Sequence, residues 1–392
     1  MSIRPSSGSL NKPNPSISLT LFIISILLPI LGGAGTAVAQ WSEPVRISEP
    51  GVCWNPQILA QGDTLHVVYT NTRGVMKISY LRSTDGGESW SNSRKLSDTV
   101  GHVGATLPRI IAHWNRLMAI WMASNLYGVY HYNIGYIVSN NNGITWSLPE
   151  YILDQNWQIP FPLTAAGIDS LVIVTTKSDY GDTTIFHVIR STDFGDTWSY
   201  PRVMFGAEYG ARTDGAASDS VYHFTWSGLF DPDSALEIYY TNSSDGGENW
   251  IGNFPLSEAD LDHSLMPAVC IDRSGQASVT WMDYKHSPYF FTGDIFIRRS
   301  EDQGGNWNSE VQITERHLST LSDIVAIDDS IFVAWQDERP ENGQYSIYLS
   351  SSFDGGNTWT EEQRLDRDAM QSSYPALGVS NGRVYALWNE TR

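Results

Sequence analysis

The sequence predicts an all-β ring of four-stranded sheets, and three observations lead there. First, the pattern Ser-x-Asp-x-Gly-x-x-Trp occurs six times, at Ser83/Asp85/Gly87/Trp90, Ser139/Asn141/Gly143/Trp146, Ser191/Asp193/Gly195/Trp198, Ser243/Asp245/Gly247/Trp250, Ser300/Asp302/Gly304/Trp307 and Ser352/Asp354/Gly356/Trp359. Only the second copy departs, with Asn141 in the place of the acid. The tryptophans lie 52 to 57 residues apart, and a near-constant period of this size marks an array of like supersecondary units. Second, each unit holds four short strand-like segments separated by turns rich in Gly, Asn and Asp. Third, no stretch keeps a helical apolar period, which excludes a helical solenoid. Units of this kind close into a β-propeller.

Each unit opens with an inner run such as 107–111, 266–271 or 374–379. A tight turn follows, for example Gly62-Asp63 or Asn381-Gly382, whose residues tolerate positive φ. The second run is strongly apolar, as in 117–122, 331–335 and 384–388. The third alternates, as at Ile78, Tyr80 and Arg82, and ends in the repeated pattern. The fourth starts at the pattern's Trp.

Six units are complete. Residues 374–379 and 384–389 then supply a first and second strand, and 41–48 read as a lone fourth strand. The expectation is therefore six full blades plus a partial seventh closed by both chain ends, without a third strand of its own; a six-bladed ring is the alternative. The last residues, Trp388 to Arg392, match the internal Trp335 to Arg339, as they would if the repeat ran on in a longer parent chain.

Residues 1–39 read as a secretory signal peptide and 40–392 as a single domain. Arg4 and Lys12 precede an apolar run from Ile17 to Leu31, and Ala37-Val38-Ala39 offers a small-residue cleavage site after Ala39. An uncleaved anchor is the alternative. The expected location is outside the cell, in the periplasm or at the cell surface, with no membrane insertion once the leader is removed.

The net charge is −19, and losing Arg4 and Lys12 makes it more negative. Such a field opposes nucleic acid and anionic membranes as partners. The two cysteines, Cys53 and Cys270, fall at different heights in non-neighbouring units, so no disulfide is expected. No metal spacing, phosphate loop or hydrolase nucleophile motif is present. No cofactor is expected; a structural Ca²⁺ among the acidic loops is conceivable, without a ligand motif for it.

Ser and Asp side chains close turns through hydrogen bonds to nearby backbone, Gly takes a conformation closed to other residues, and Trp returns to the apolar layer. Asp85, Asn141, Asp193, Asp245, Asp302 and Asp354 are thus read as turn staples rather than as acids of a reaction.

The repeated pattern resembles the Asp-box, or BNR repeat, of the sialidase superfamily, over residues 41–392. The resemblance implies boxes on the face opposite the active site, and an active site with an arginine triad, a Tyr–Glu nucleophile pair and an Asp acid/base. The family's Phe/Tyr-Arg-Ile-Pro motif corresponds here to Cys53-Trp54-Asn55-Pro56, with Trp54 where the arginine belongs. Arg73 matches a second family arginine, but no acid follows it before the box. Tyr374 stands near the family's nucleophile. The fold is implied in full and the catalytic equipment is not.

Ligand-binding candidates are the mouth-side residues Arg73, Arg109, Arg212, Lys285, Arg339 and Trp54. Asp231, Asp233, Arg316, Trp157 and Tyr289 belong to the same collection. Catalytic candidates are Asp283 and Asp337, from the repeated Trp-x-Asp-x-Lys/Arg element, together with Tyr374. The expectation is an exported, non-catalytic binding module for a glycan or a cell-surface protein. The alternative is an exo-acting glycoside hydrolase with a rearranged site, which would need two facing carboxyl groups.

Overall fold

The computed structural model describes residues 17–25, 40–48, 53–97, 102–125, 132–152, 161–180, 183–218, 220–229, 235–285, 293–315, 318–339, 343–366 and 371–391. Among them there are strands and turns and no helix. Six four-stranded antiparallel sheets follow one another along the chain, as blades one to six (53–95, 102–151, 161–207, 209–255, 264–312 and 318–364). A seventh sheet pairs Gln371–Ser380 with Arg383–Thr391 and adds strands from the other chain end. The first strand of every sheet lies beside the first strands of its two neighbours, and Gln371–Ser380 closes the circle between Leu318–Ile327 and Cys53–Gln61.

The core is a set of clusters between blades rather than one centre. Ile58, Leu65 and Tyr69 of blade one pack with Ala376, Tyr385 and Leu387 of the seventh sheet. Ile327, Phe332 and Ile347 of blade six pack with Leu377, Val384 and Trp388. Second strands are sandwiched on both faces, which explains their unbroken apolar runs: Ala277–Asp283 is buried at every position. Trp121, Trp226, Trp281, Trp335 and Trp388 occupy like places on five of them and are fully buried. Truncating any one to Ala would cost about 3–5 kcal/mol.

The repeated turns have the geometry their residue types predict. Ser83 Oγ donates to Asp85 Oδ1 at 2.7 Å, and the N–H of Gly87 and of Ser89 donate to Ser83 Oγ and Asp85 Oδ1 at 2.9 Å each. The other copies repeat these bonds, and Asn141 accepts through Oδ1 as the aspartates do. Bonds from the side chain and backbone N–H of Ser89, and likewise of Asn306, hold the carboxyls of Asp85 and Asp302 down at about 2. Each pattern Trp packs against the blade before it. Trp146, Trp198 and Trp307 meet Tyr80, Tyr136 and Tyr240 edge-on, at centroid distances of 5.0, 5.4 and 4.8 Å.

One element differs from the sequence reading. The third-strand place in the seventh sheet, expected to be vacant, is taken by Ile17–Ser25, paired antiparallel with Arg383–Thr391. A nine-residue apolar run next to an open sheet edge satisfies that edge's backbone groups, which is the physical reason it sits there. Gln40–Trp41 and Val45–Arg46 pair with Ile17–Ser25, the latter in the outer position expected for 41–48. Residues 26–39, with the expected cleavage site, lie outside the described residues. Cys53 and Cys270 are buried and free of any disulfide.

Candidate functional site at the channel mouth

All seven first strands carry a bulge at the same height. The register slips between Trp54 and Gln57, Thr106 and Arg109, Phe161 and Thr164, Gly210 and Thr213, Leu265 and Ala268, Thr320 and Asp323, and Ser373 and Ala376. Five bulges hold a non-glycine residue at positive φ: Asn55 at 48°, Leu107 at 53°, Met266 at 58°, Leu321 at 50° and Tyr374 at 56°. Four of these precede proline (Pro56, Pro108, Pro267, Pro375), which cannot donate to the ladder and so lets the strand buckle there. Left-handed backbone at such residues costs about 1–2 kcal/mol each. The device recurs around the ring, so it belongs to the architecture; its consequence is to re-aim side chains into the channel.

The bulges line a cavity of about 160 Å³, and Asn55, Arg109, Arg212, Asp214, Asp323 and Tyr374 are among its polar residues. It lies at the end of the blades away from the repeated turns, since Trp54 pairs with Thr70 at one end while the turn of Ser83 meets the 62–63 hairpin at the other. Arg109 Nη2 donates to Asp214 Oδ1 at 3.0 Å, and Asp214 Oδ2 accepts the Val269 N–H at 3.0 Å. Asp323 accepts the N–H of Leu377 at 2.7 Å and of Ile324 at 3.0 Å. Both acids therefore tie one blade to the inner strand of the next. Burial pushes the Asp214 carboxyl up against the pull of Arg109. Burial, with the charge of Asp214 adding to it, raises Asp323 to about 6 despite its two N–H bonds.

Of the residues singled out from the sequence, Arg109, Arg212 and Tyr374 meet in this cavity. Trp54 is 44% exposed beside the first bulge, outside the lining. Arg73 is exposed on its loop, where its N–H donates to Asn71 Oδ1 at 2.9 Å. Lys285 is turned away: Nζ bonds Glu310 and lies 4.2 Å from the Phe296 ring centre. Arg339 pairs through its backbone with Gln344, and its side chain is outside the described residues. Asp231, Asp233, Arg316, Trp157 and Tyr289 also lie outside them.

Asp283 and Asp337 occupy equivalent places in neighbouring blades and do not face one another across a cleft. Each is buried and held by its own sheet. Asp283 Oδ2 accepts Ser264 Oγ at 2.9 Å and Trp281 Nε1 at 3.2 Å. Asp337 Oδ2 accepts Ser319 Oγ at 2.9 Å and Trp335 Nε1 at 3.3 Å. The register pairs Ser264 with Asp283 and Ser319 with Asp337, so blades five and six share one clamp between first and second strands. Ser264 also lies 3.4 Å from Glu237, whose carboxyl burial raises to about 7.

Asp214, Asp323 and Glu237 were not singled out from the sequence. Asp214 had a signal: it stands in a column whose other members are Ile58, Ile110, Ala165, Val269, Ile324 and Leu377, one acid among apolar residues. Among the described residues no group of three or more His, Cys, Asp and Glu is placed to hold a metal ion. The cavity's chemistry is that of polar recognition, with guanidinium donors, carboxylate acceptors and an aromatic ring.

Solved structures share the fold. A PL25 ulvan lyase is similar over 83% of this chain and 87% of its own, at 12% identity and a TM-score of 0.58. An α-L-arabinanase of Penicillium chrysogenum is similar over 73% and 92%, at 14% identity and 0.53. The sialidase of Trypanosoma rangeli is similar over 81% of this chain and 55% of its own, at 11% identity and 0.50. No curated protein matches the chain in sequence. These likenesses show a shared β-propeller fold, and the family model described as a BNR repeat-like domain matches residues 115–386. The chain belongs to the BNR repeat-like domain family.

Proposed function

We propose that the protein is an exported sialidase-like propeller that binds a carbohydrate at the channel mouth without cleaving it. The observation that carries this reading is the state of Arg109. Its guanidinium is engaged by Asp214 inside the fold, whereas capture of a substrate carboxylate needs arginines free to converge on it. Arg212 and Tyr374 remain as a donor and a stacking surface, suited to sugar hydroxyls and a pyranose face. The ulvan lyase, a polysaccharide lyase, and the arabinanase, solved with arabinobiose, supply a direction for the ligand class.

Asp323 favours a second reading. A carboxyl with its pKa raised to about 6, in one cavity with Tyr374, has the character of a general acid. Two assays on the purified protein separate the readings. Retention on a glycan array, lost in Arg212→Ala, with no release of fluorophore from a fluorogenic sialoside or arabinoside, supports binding. Hydrolysis abolished by Asp323→Asn or Tyr374→Phe would overturn it.

A further inference from the structure

The seventh sheet is assembled unlike the other six. In a complete blade the third strand follows the second in the chain and ends in the stapled turn. In the seventh, the second strand Arg383–Thr391 takes its outer partner from the far end of the chain. Ile17–Ser25 pairs with it at all nine positions, from Ile17 opposite Thr391 to Ser25 opposite Arg383. Ile17–Ser25 then carries Gln40–Trp41 and Val45–Arg46 on its other edge, so the last layers of this blade hang on it.

The site it fills is built by the rest of the ring. Residues 384–390 of the acceptor strand are buried, and Val384, Ala386 and Trp388 are fixed by the cluster shared with blade six. The other flank, Tyr385 and Leu387, is fixed by the cluster shared with blade one. Arg383 reaches to 3.9 Å from Asp63 across the same closure. Six interfaces receive a pattern Trp from the following blade; the cluster between blade six and the seventh sheet contains none. The acceptor edge is thus held in place whether or not a third strand is present. Removing Ile17–Ser25 would leave every second N–H and C=O along it without a ladder partner.

The same nine residues belong to the apolar run from Ile17 to Leu31 that reads as the core of a secretory leader, so two processes compete for one segment. We propose that the outer edge of Arg383–Thr391 is a strand-acceptor site whose occupant is Ile17–Ser25, and that leader removal opens it to β-augmentation by that segment in trans. Main-chain pairing supplies the affinity and the alternation of the strand supplies the register. Only the removal step rests on export; the pairing is independent of any ligand at the channel mouth.

The test uses the full chain, with a sequence-specific protease site placed within residues 28–36 and cut after folding. The N-terminal fragment is expected to co-elute with the body of the protein in size-exclusion chromatography. Excess synthetic peptide of residues 17–25 should displace it. Amides of 383–391 should exchange about tenfold faster or more once the fragment is washed away, and recover when the peptide is returned. Of two peptides N-methylated at alternate residues in opposite phase, the one that blocks the edge facing 383–391 should neither displace nor protect, and the other should do both. Immediate loss of the fragment with unchanged exchange of 383–391 would overturn the proposal, as would protection of that edge by concentration-dependent dimerisation. Should the nicked protein precipitate, the uncut Leu21→Pro and Phe22→Pro chains are read instead. Successive N–H groups of a strand point to opposite sides, so one of the two must weaken the pairing with 383–391. Unchanged exchange in both would also overturn it.

Discussion

Arg109 of blade two and Asp214 of blade four meet at 3.0 Å across the channel, and Asp214 holds the Val269 N–H of blade five with its other oxygen. One carboxylate thus links blade two across the channel to the adjacent blades four and five. Replacing Asp214 with Ala strands a guanidinium and a backbone N–H together, and the expected loss is about 3 kcal/mol in urea unfolding. Asp214→Asn should lose less, since its amide oxygen can still accept one of the two bonds. If Arg109→Met restores most of the stability of Asp214→Ala, the pair rather than the single acid is responsible.

Asp323 makes stability depend on pH in the direction opposite to that of a salt-bridged acid. Its folded pKa, about 6, is above the ordinary carboxyl value of 3.8, so the folded protein holds the proton more tightly. The resulting stabilisation is complete below about 4 and is lost as pH rises towards 6. The stability difference between the wild type and Asp323→Asn should therefore fall by about 2–3 kcal/mol between pH 4 and 7. Urea titrations of both proteins at several pH values measure it. A flat difference would mean that the two N–H bonds keep this carboxylate ionised. Glu237→Gln should show the same sign with a later midpoint, in line with a carboxyl raised to about 7.

His66 and His223 act in the other sense. Each is buried with Nδ1 against a tyrosine hydroxyl, Tyr80 at 2.7 Å and Tyr240 at 2.5 Å. Burial lowers both rings to about 4, from 6.5. Their contribution is fully present above pH 6.5 and is lost progressively as pH falls towards 4. Proton NMR should find both imidazoles still neutral at pH 5.5. Signals titrating near 6.5 would contradict the buried geometry.

How much of this was legible in the sequence follows from the range over which each feature is determined. The stapled turns span eight residues and are set by local bonds, so Ser83 to Trp90 and its copies could be read directly. The second strands were legible for the same reason, through runs such as 384–388. The cavity was not, because its members come from six different sheets and meet only when the ring closes. Arg109 and Arg212 could be collected, but nothing near Arg109 in the chain shows that its partner is Asp214, 105 residues away. Lys285 looked like a mouth residue until Glu310 of the same blade took its ammonium inward. Asp283 and Asp337 look like acids of a reaction in sequence, and the cross-strand serines that bind them became visible only with the register. Ile17–Ser25 has two consistent readings, as leader and as strand, since an apolar β-branched run serves either.

The contact between a tyrosine and the next blade's turn gives the sharpest test of the ring's packing. Gly143 has φ of +77°, and a Cβ placed on it would collide with the Tyr80 hydroxyl of the preceding blade. Gly304 repeats this with Tyr240 at φ of +91°. Alanine at either position meets two penalties at once, a backbone conformation that L residues avoid and a steric conflict with a ring pinned by its histidine. Gly143→Ala and Gly304→Ala should each lose about 3 kcal/mol or more. Gly74 separates the two effects, because it has φ of +83° and nothing within 4 Å of its Cβ position. Gly74→Ala should lose only about 1–2 kcal/mol, the backbone share. Adding Tyr80→Phe to Gly143→Ala removes the colliding oxygen and should recover part of the loss, whereas the same change beside Gly74→Ala should recover none. Equal losses at Gly74 and Gly143 would show that the turns are held by backbone geometry alone and that the tyrosines do not determine how closely neighbouring blades approach.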